Sequence, residues 1–248
     1  MSYRLDAEVS DCSYGCSYTL TNNHAANFKL FADEYELIFY QRKHKAVWAV
    51  SNCHASARMN FALQLKQHMP VTVIGACSNF FLHPDSWMPL AIRNLFFNEG
   101  LPCPRGSLCE KELFEKSKFY FSFESYDCKD YLTEKVWRIL RTNMIPVVMQ
   151  PSKANYNQIL PPDSFIHAED FDFDARKLAE HLKLVSTDFK LFLKYHAWKF
   201  DYDVVFSAAQ AEKRRLCELC TKLNEETSSI HYENVVDWFN DSCQKNRT

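Results

Sequence analysis

The stretch that decides the fold is Lys118-Phe-Tyr-Phe-Ser-Phe123, with Glu124-Ser-Tyr-Asp-Cys-Lys-Asp-Tyr-Leu-Thr-Glu-Lys-Val-Trp-Arg138 behind it and Ile145-Pro-Val-Val-Met149 closing the unit. The first segment is an apolar run of strand length rich in aromatics, which predicts a buried strand. Tyr131 to Thr142 places Val136 and Leu140 one turn apart, which predicts a helix. Ile145–Met149 is a second strand, its proline near the start where it is tolerated. Outward from this unit the alternation repeats. Ala46–Val50 and Pro70–Ile74 read as strands around a helix over Ser56–His68, which sets Phe61, Ala62, Leu65 and Met69 on one face. Glu110–Ser117 reads as a short helix, Ser164–His167 as a strand and Ala175–Val185 as an amphipathic helix. Asn23 to Tyr40 is helix-like, and the remainder to Phe239 reads as mostly helical. Strands alternating with helices predict an α/β fold on a parallel sheet with right-handed crossovers. Ligands bind such sheets beyond the carboxyl ends of the strands. The residues just after Val50, Ile74, Phe123, Met149 and His167 are therefore where chemistry is sought.

Composition removes several classes of function. The 248 residues carry 29 Lys+Arg against 31 Asp+Glu, a formal net charge of -2, so the field that drives non-specific nucleic-acid binding is absent. No apolar run is long enough to cross a bilayer, and the polar opening Met1-Ser-Tyr-Arg is unlike a signal peptide. With four glycines, at 15, 75, 100 and 106, neither GxGxxG nor a Walker loop can be written. Ten cysteines include the close pairs Cys12/Cys16, Cys103/Cys109 and Cys217/Cys220, which suit disulfides in an oxidising compartment better than a four-ligand zinc site. Two N-glycosylation sequons, Asn240-Asp-Ser and Asn246-Arg-Thr, point the same way.

Two strand ends stand out. Ser51-Asn-Cys-His-Ala-Ser-Ala-Arg58 runs from a strand into a helix whose first turn carries Arg58. Free N–H groups at a helix start with an arginine beside them make an anion site, and a capped helix with a solvent-facing arginine is the equal alternative. After Phe123, Asp130 is expected as an N-cap and Glu134 lies in the favoured first turn. Lys135 is electrostatically misplaced there, and an anionic ligand would remove the conflict; a surface Glu–Lys pair is the plain reading. Asp170-Phe-Asp172-Phe-Asp174 has the look of a metal motif but reads better as a capping run before Ala175. The nine histidines show no HExxH spacing, and no GxSxG elbow is present. Trp198-Lys199 is either a stacking face with a charge or the edge of the core.

Taken in order, Phe119-Tyr-Phe-Ser-Phe-Glu124, Lys129-Asp-Tyr-Leu-Thr-Glu-Lys135 and Ile145-Pro-Val-Val148 resemble the signature of the α1,3-fucosyltransferases, Lewis and core types. The likeness extends to Ala49-Val-Ser-Asn52 with Arg58, Asn155-Tyr156, Leu160-Pro-Pro-Asp-Ser-Phe-Ile166, Tyr195-His-Ala-Trp-Lys199 and Cys217-Glu-Leu-Cys220. The resemblance implies a GT-B glycosyltransferase and inverting transfer of L-fucose from GDP-β-L-fucose to the 3-hydroxyl of an N-acetylglucosamine in a glycan acceptor. It divides the chain into 1–44, a remnant of the N-terminal acceptor domain, 45–200, a Rossmann-like donor domain, and 201–248, C-terminal helices and tail. It gives Arg58 and Lys135 to the donor diphosphate, Glu134 to the ribose or fucose, and Glu124, Ser125 and Tyr131 to the donor pocket. GDP-fucose is then a substrate, and neither a bound cofactor, a metal nor a nucleic-acid partner is expected. Ser125 stands where the family has asparagine, which removes an amide donor. The resemblance puts the catalytic acid-base carboxylate, and a Golgi membrane anchor, upstream of Met1, and places the protein in the Golgi lumen. The alternative is a GDP-fucose-binding fragment or pseudoenzyme without turnover of its own.

Overall fold

The computed structural model describes residues 17–20, 27–78, 103–205, 208–224 and 232–243. Its elements run β1 (Ser17–Leu20), α1 (Phe28–Gln41), β2 (Lys43–Ala49), α2 (Ser56–His68), β3 (Val71–Ile74), α3 (Leu108–Lys116), β4 (Ser117–Phe121), α4 (Glu134–Leu140), β5 (Ile145–Val148), α5 (Lys153–Ile159) and β6 (Ile166–His167). A 3-10 turn (Ala168–Phe171) leads into α6 (Ala175–Thr187), α7 (Phe189–Lys194), α8 (Trp198–Asp201), β7 (Tyr202–Val205), α9 (Ala208–Asn224) and α10 (Val235–Asn240).

Five strands form one sheet in the order β3-β2-β4-β5-β6, every pairing parallel. The period of two along each strand divides the core between the two faces. Ala46, Trp48, Val50, Phe119, Phe121, Phe123, Ile145 and Val147 point to one face, where α1, α2, α6 and α7 bury Phe39, Phe61, Leu65, Leu178, Leu182 and Phe192 against them. Val47 and Tyr120 meet Phe114 of α3 and Ile139 of α4 on the other face, and Val148 meets Val136, Trp137 and Tyr156 of α4 and α5 there. Each side chain of this size contributes about 1.5–3 kcal/mol on burial. Both faces are covered by helices, which is why the strands read as continuous apolar runs rather than as alternations.

The structure departs from the sequence expectations in three places. The helix expected from Tyr131 begins only at Glu134, because Asp130 holds a left-handed φ of 63° and is not its cap. Asp130 is instead locked to Asn155, whose amide donates to its carboxylate and whose Oδ1 accepts its backbone N–H at 2.7 Å. Within the segment expected to be mostly helical, Tyr202–Val205 forms β7 and pairs antiparallel with β1, with Tyr18 and Tyr202 in edge contact at 5.1 Å. Of the close cysteine pairs, Cys103–Cys109 is bonded, Cys217 and Cys220 are exposed thiols on α9, and Cys12/Cys16 lies outside the described residues. The other bridges are long-range, Cys53–Cys77 and Cys128–Cys243, between residues that local spacing could not have matched. Asp174 caps α6 as expected, accepting from the N–H groups of Arg176 and Lys177.

Candidate functional site

Counted from β2, the sheet has the order 2-1-3-4-5, so the crossover direction reverses between β2 and β4. A crevice opens at such a switch point, outside the carboxyl ends of the strands. A cleft of about 720 Å³ lies there, lined by the loop after β2, the start of α2, the loop after β4, and Met149 to Ser152 after β5.

Arg58 sits at the floor of this crevice. One terminal nitrogen of its guanidinium donates to the Phe123 carbonyl and the other to the Asn52 carbonyl, both at 2.8 Å. The side chain therefore splints the two strand-end loops on either side of the switch point. It is buried, its Nε has no hydrogen-bond partner among the described residues, and burial lowers its pKa against the opposing influence of Glu124 and Tyr131. The first turn of α2 opens into the same space, and Ala55 at its N-cap supplies no side-chain acceptor, so that turn's N–H groups present partial positive charge to the cleft. Behind this loop Gly75 takes φ +93°, and a Cβ on it would stand 2.7 Å from the Val50 carbonyl oxygen. That position requires glycine.

Glu124 follows β4 and is fully buried. Its carboxylate accepts from the Thr133 N–H and hydroxyl at 2.8 Å and from Lys135 Nζ at 3.0 Å. Burial raises its pKa, while Lys135 and Thr133 pull the other way. The misplaced cation in the first turn of α4 is thus explained: a carboxylate from the neighbouring strand end already sits beside it. Lys135 also donates to the Thr133 hydroxyl at 2.6 Å, and its side chain keeps 22% exposure. Two of its three protons are committed to these partners, and the third is uncommitted among the described residues. Thr133 precedes α4 without capping it, because its hydroxyl is engaged by Glu124.

The structure brings Arg58 and Ser125 to the cleft wall and Glu124 and Lys135 just behind the β4 loop. Glu134 points toward Arg105, 4.0 Å away, and Tyr131 lies edge-on to Tyr126 with ring centroids 6.1 Å apart. Sequence reasoning gave no site role to Asn52, His54, Gln150 or Glu169, which also line the cleft. Gln150 stands directly after β5, where the strand-end rule points, and its amide donates to the Glu124 carbonyl at 3.2 Å. Cys243 reaches the cleft only through its bridge to Cys128, which no local pattern announces. Among the described residues no group of three His, Cys, Asp or Glu side chains is placed to hold a metal ion, and no helix is long and apolar enough to cross a membrane.

The sequence profile of the C-terminal part of glycosyltransferase family 10 (fucosyltransferase) matches residues 39–238, a span that contains the sheet and the whole cleft apart from Cys243. The chain belongs to glycosyltransferase family 10. A 4-galactosyl-N-acetylglucosaminide 3-alpha-L-fucosyltransferase of Hylobates lar is 31% identical over 242 residues, covering 97% of this chain and 55% of the relative. A 3-galactosyl-N-acetylglucosaminide 4-alpha-L-fucosyltransferase of Homo sapiens is 31% identical over 241 residues, covering 96% and 56%. The chain spans about half the length of these curated relatives. A crystal structure titled alpha1,3-fucosyltransferase with GDP-fucose superposes with a TM-score of 0.51 at 19% identity, over 82% of this family 10 chain and 56% of the other. Another alpha1,3-fucosyltransferase crystal structure gives 0.51 at 21% identity, over 79% and 50%. These superpositions place the family 10 sheet and its helices within the GT-B fold.

Proposed function

We propose that this family 10 chain is the donor-binding part of a fucosyltransferase that moves L-fucose from GDP-β-L-fucose to the 3-hydroxyl of N-acetylglucosamine in glycan acceptors, with inversion. One observation carries the reading. The family match encloses a switch-point cleft lined by Arg58 and the open first turn of α2, with Lys135 just behind its β4 loop, and all three groups favour an anion. In this reading Lys135 meets the donor diphosphate. As the glycosidic bond breaks, negative charge grows on the departing GDP, and a fixed ammonium stabilises that charge without reorganising. Glu124 aims Lys135 through one carboxylate oxygen and through Thr133, whose hydroxyl accepts from Lys135 and bonds both carboxylate oxygens. Arg58, spent on two carbonyls, serves by fixing the distance between the β2 and β4 loops and by its field. Glu134, next to Lys135 in sequence, is assigned to the ribose or fucose, Tyr131, two residues before Thr133, to the donor pocket, and Ser125 lines the cleft with a hydroxyl.

The unit assigned to the donor is 45–200, with 1–44 and 201–248 as flanking segments from the acceptor side and the tail. The relatives named above extend well beyond this chain's span, and no carboxylate of the described residues is assigned as the base. Three disulfides support a luminal, oxidising compartment, and the Golgi lumen is the assignment that fits both them and the glycan acceptor.

Calorimetric titration with GDP-fucose, and with GDP alone, tests the reading. Saturable binding of both is expected, and Lys135→Ala is expected to weaken it. A folded chain that binds neither would sink the donor assignment.

A further inference from the structure

The C-terminal segment 232–243 is joined to the body at the cleft itself. Cys243 is bonded to Cys128 across 115 residues, and both cysteines line the cleft. The two residues also pair as an antiparallel bridge, and the Ser242 carbonyl accepts from the Lys129 N–H at 2.7 Å. Helix α10, just before this junction, buries none of its own side chains, and Val235, Val236 and Phe239 are 59%, 65% and 40% exposed. A six-residue helix with this much apolar surface exposed draws little stability from packing, and the bridge to Cys128 ties its end to the body. The other partner in the tie is the loop 125–133, which carries Ser125 on the cleft wall, Tyr131, and Thr133, the residue that shares Glu124 with Lys135. Asp130 within this loop holds a left-handed φ of 63°, which aspartate tolerates, and its pair with Asn155 also fixes the loop.

We propose that the Cys128–Cys243 bridge is a latch for the cleft: the bond holds the tail as an outer wall and holds the loop 125–133 in the shape that presents Lys135 to the ligand. The inference deepens the donor-binding reading and rests on it. Cys128 and Cys243 are positioning residues, acting through the loop rather than on the ligand. The latch opens by thiol–disulfide exchange with a dithiol reductant. The S–S bond breaks, Cys128 and Cys243 each gain a proton and share the two electrons as thiols, and the reductant closes into its own disulfide.

The test compares the full chain with a Cys128→Ser/Cys243→Ser double variant, which leaves no unpaired thiol to reshuffle. Circular dichroism checks the fold, calorimetry measures GDP binding, and hydrogen exchange reads the amides of 125–133. The expected result is a retained fold, faster exchange confined to 125–133 and 232–243, and GDP affinity lower by roughly tenfold, the scale of lost pre-organisation. Unchanged GDP affinity with the bridge absent overturns the latch. If the intact chain binds no GDP, the donor reading fails, and the latch is judged by exchange alone: equal protection of 125–133 with and without the bridge overturns it. If the double variant does not fold, the same two readouts are taken on the intact chain after graded reduction, with the bonded fraction of each cysteine mapped by mass spectrometry. GDP affinity or loop protection that fails to track the Cys128–Cys243 fraction then overturns the proposal.

Discussion

The two ends of the parallel sheet each hold a lysine, half-buried at one end and buried at the other, and they solve the problem differently. At the carboxyl end Lys135 faces a carboxylate, Glu124, at 3.0 Å. At the amino end Lys118, at the start of β4, is 4% exposed. Its Nζ donates to the Ser186 carbonyl at 2.7 Å and lies 3.5 Å from the centre of the Phe39 ring, with Phe192 at 5.6 Å. Burial without an opposing charge lowers its pKa to about 8. A carboxylate partner orients an ammonium and leaves its other protons for a second anion, whereas a carbonyl and two aromatic faces only accommodate it. The difference separates a lysine arranged for a ligand from one that fills the core, at opposite ends of the same strand β4.

The comparison breaks first on stability. Glu124→Ala removes the acceptor of the Thr133 N–H and strands Lys135 beside a buried gap, so a loss of about 3–5 kcal/mol is expected. Lys118→Met keeps the aliphatic stem and removes a charge without a charged partner, so a change within about 1 kcal/mol in either direction is expected. Urea unfolding of both variants measures the contrast, and equal losses would end it. Function should divide the same way. Lys135→Ala is expected to weaken GDP binding about 10- to 100-fold, the worth of one charge-assisted contact, while Lys118→Met leaves it unchanged.

Much of the carboxyl end was legible in the chain. The strand positions after Val50 and Phe123 follow from apolar runs, and Lys135 stood out because a cation breaks the rule for a first helical turn. The resolution of that conflict was not legible, since Glu124 meets Lys135 across the gap between a strand end and a helix start, 11 residues apart, and only the fold sets that distance. Arg58 was read as a ligand group, and the structure shows it donating to two backbone carbonyls that no side-chain pattern can reveal. The amino end was invisible for the same reason. Lys118 reads only as the first residue of a strand, yet α1 and α6 bring Phe39 and Ser186 over it from 79 residues before and 68 residues after. Helices and strands follow from local periodicity, whereas the partners of buried polar groups depend on tertiary placement.

The pH dependence of stability sharpens the contrast through its sign. Below about pH 8 Lys118 is charged in both folded and unfolded chains, and its burial cost is fully present. Between about 8 and its ordinary value of 10.5 the folded chain releases the proton while the unfolded chain keeps it, so stability rises with pH, by at most about 1.4 kcal/mol per unit. Lys199, lowered by burial to about 7, adds a slope of the same sign. The difference between the intact chain and Lys118→Met, followed by urea unfolding from pH 7 to 10, isolates the Lys118 part. It is expected to climb from about pH 8, and a flat difference would show that the ammonium is not held in the core. Glu124 runs the other way: its raised pKa makes the unfolded chain the first to lose a proton, so its contribution declines as pH rises above the ordinary 4.5.

The smallest effect tests the cleft wall rather than the charges. Ser125 lines the cleft next to Glu124, and its hydroxyl is one atom group shorter than the asparagine that the fucosyltransferase signature carries there. Ser125→Asn adds an amide with two donors at the wall, beside the space between Arg58 and Gln150. A new neutral hydrogen bond is worth about 0.5–1.5 kcal/mol, so GDP-fucose should bind roughly two- to tenfold more tightly. Lys118→Met should not alter this gain, because the amino end shares no partner with the cleft and distant sites add independently. A gain in GDP-fucose affinity without a gain for GDP would place Ser125 against the sugar, and an equal gain for both would place it against the nucleotide. Weaker binding of both would mean that the shorter side chain is what this cleft requires, and that Ser125 is matched to a wall narrower than the signature implies.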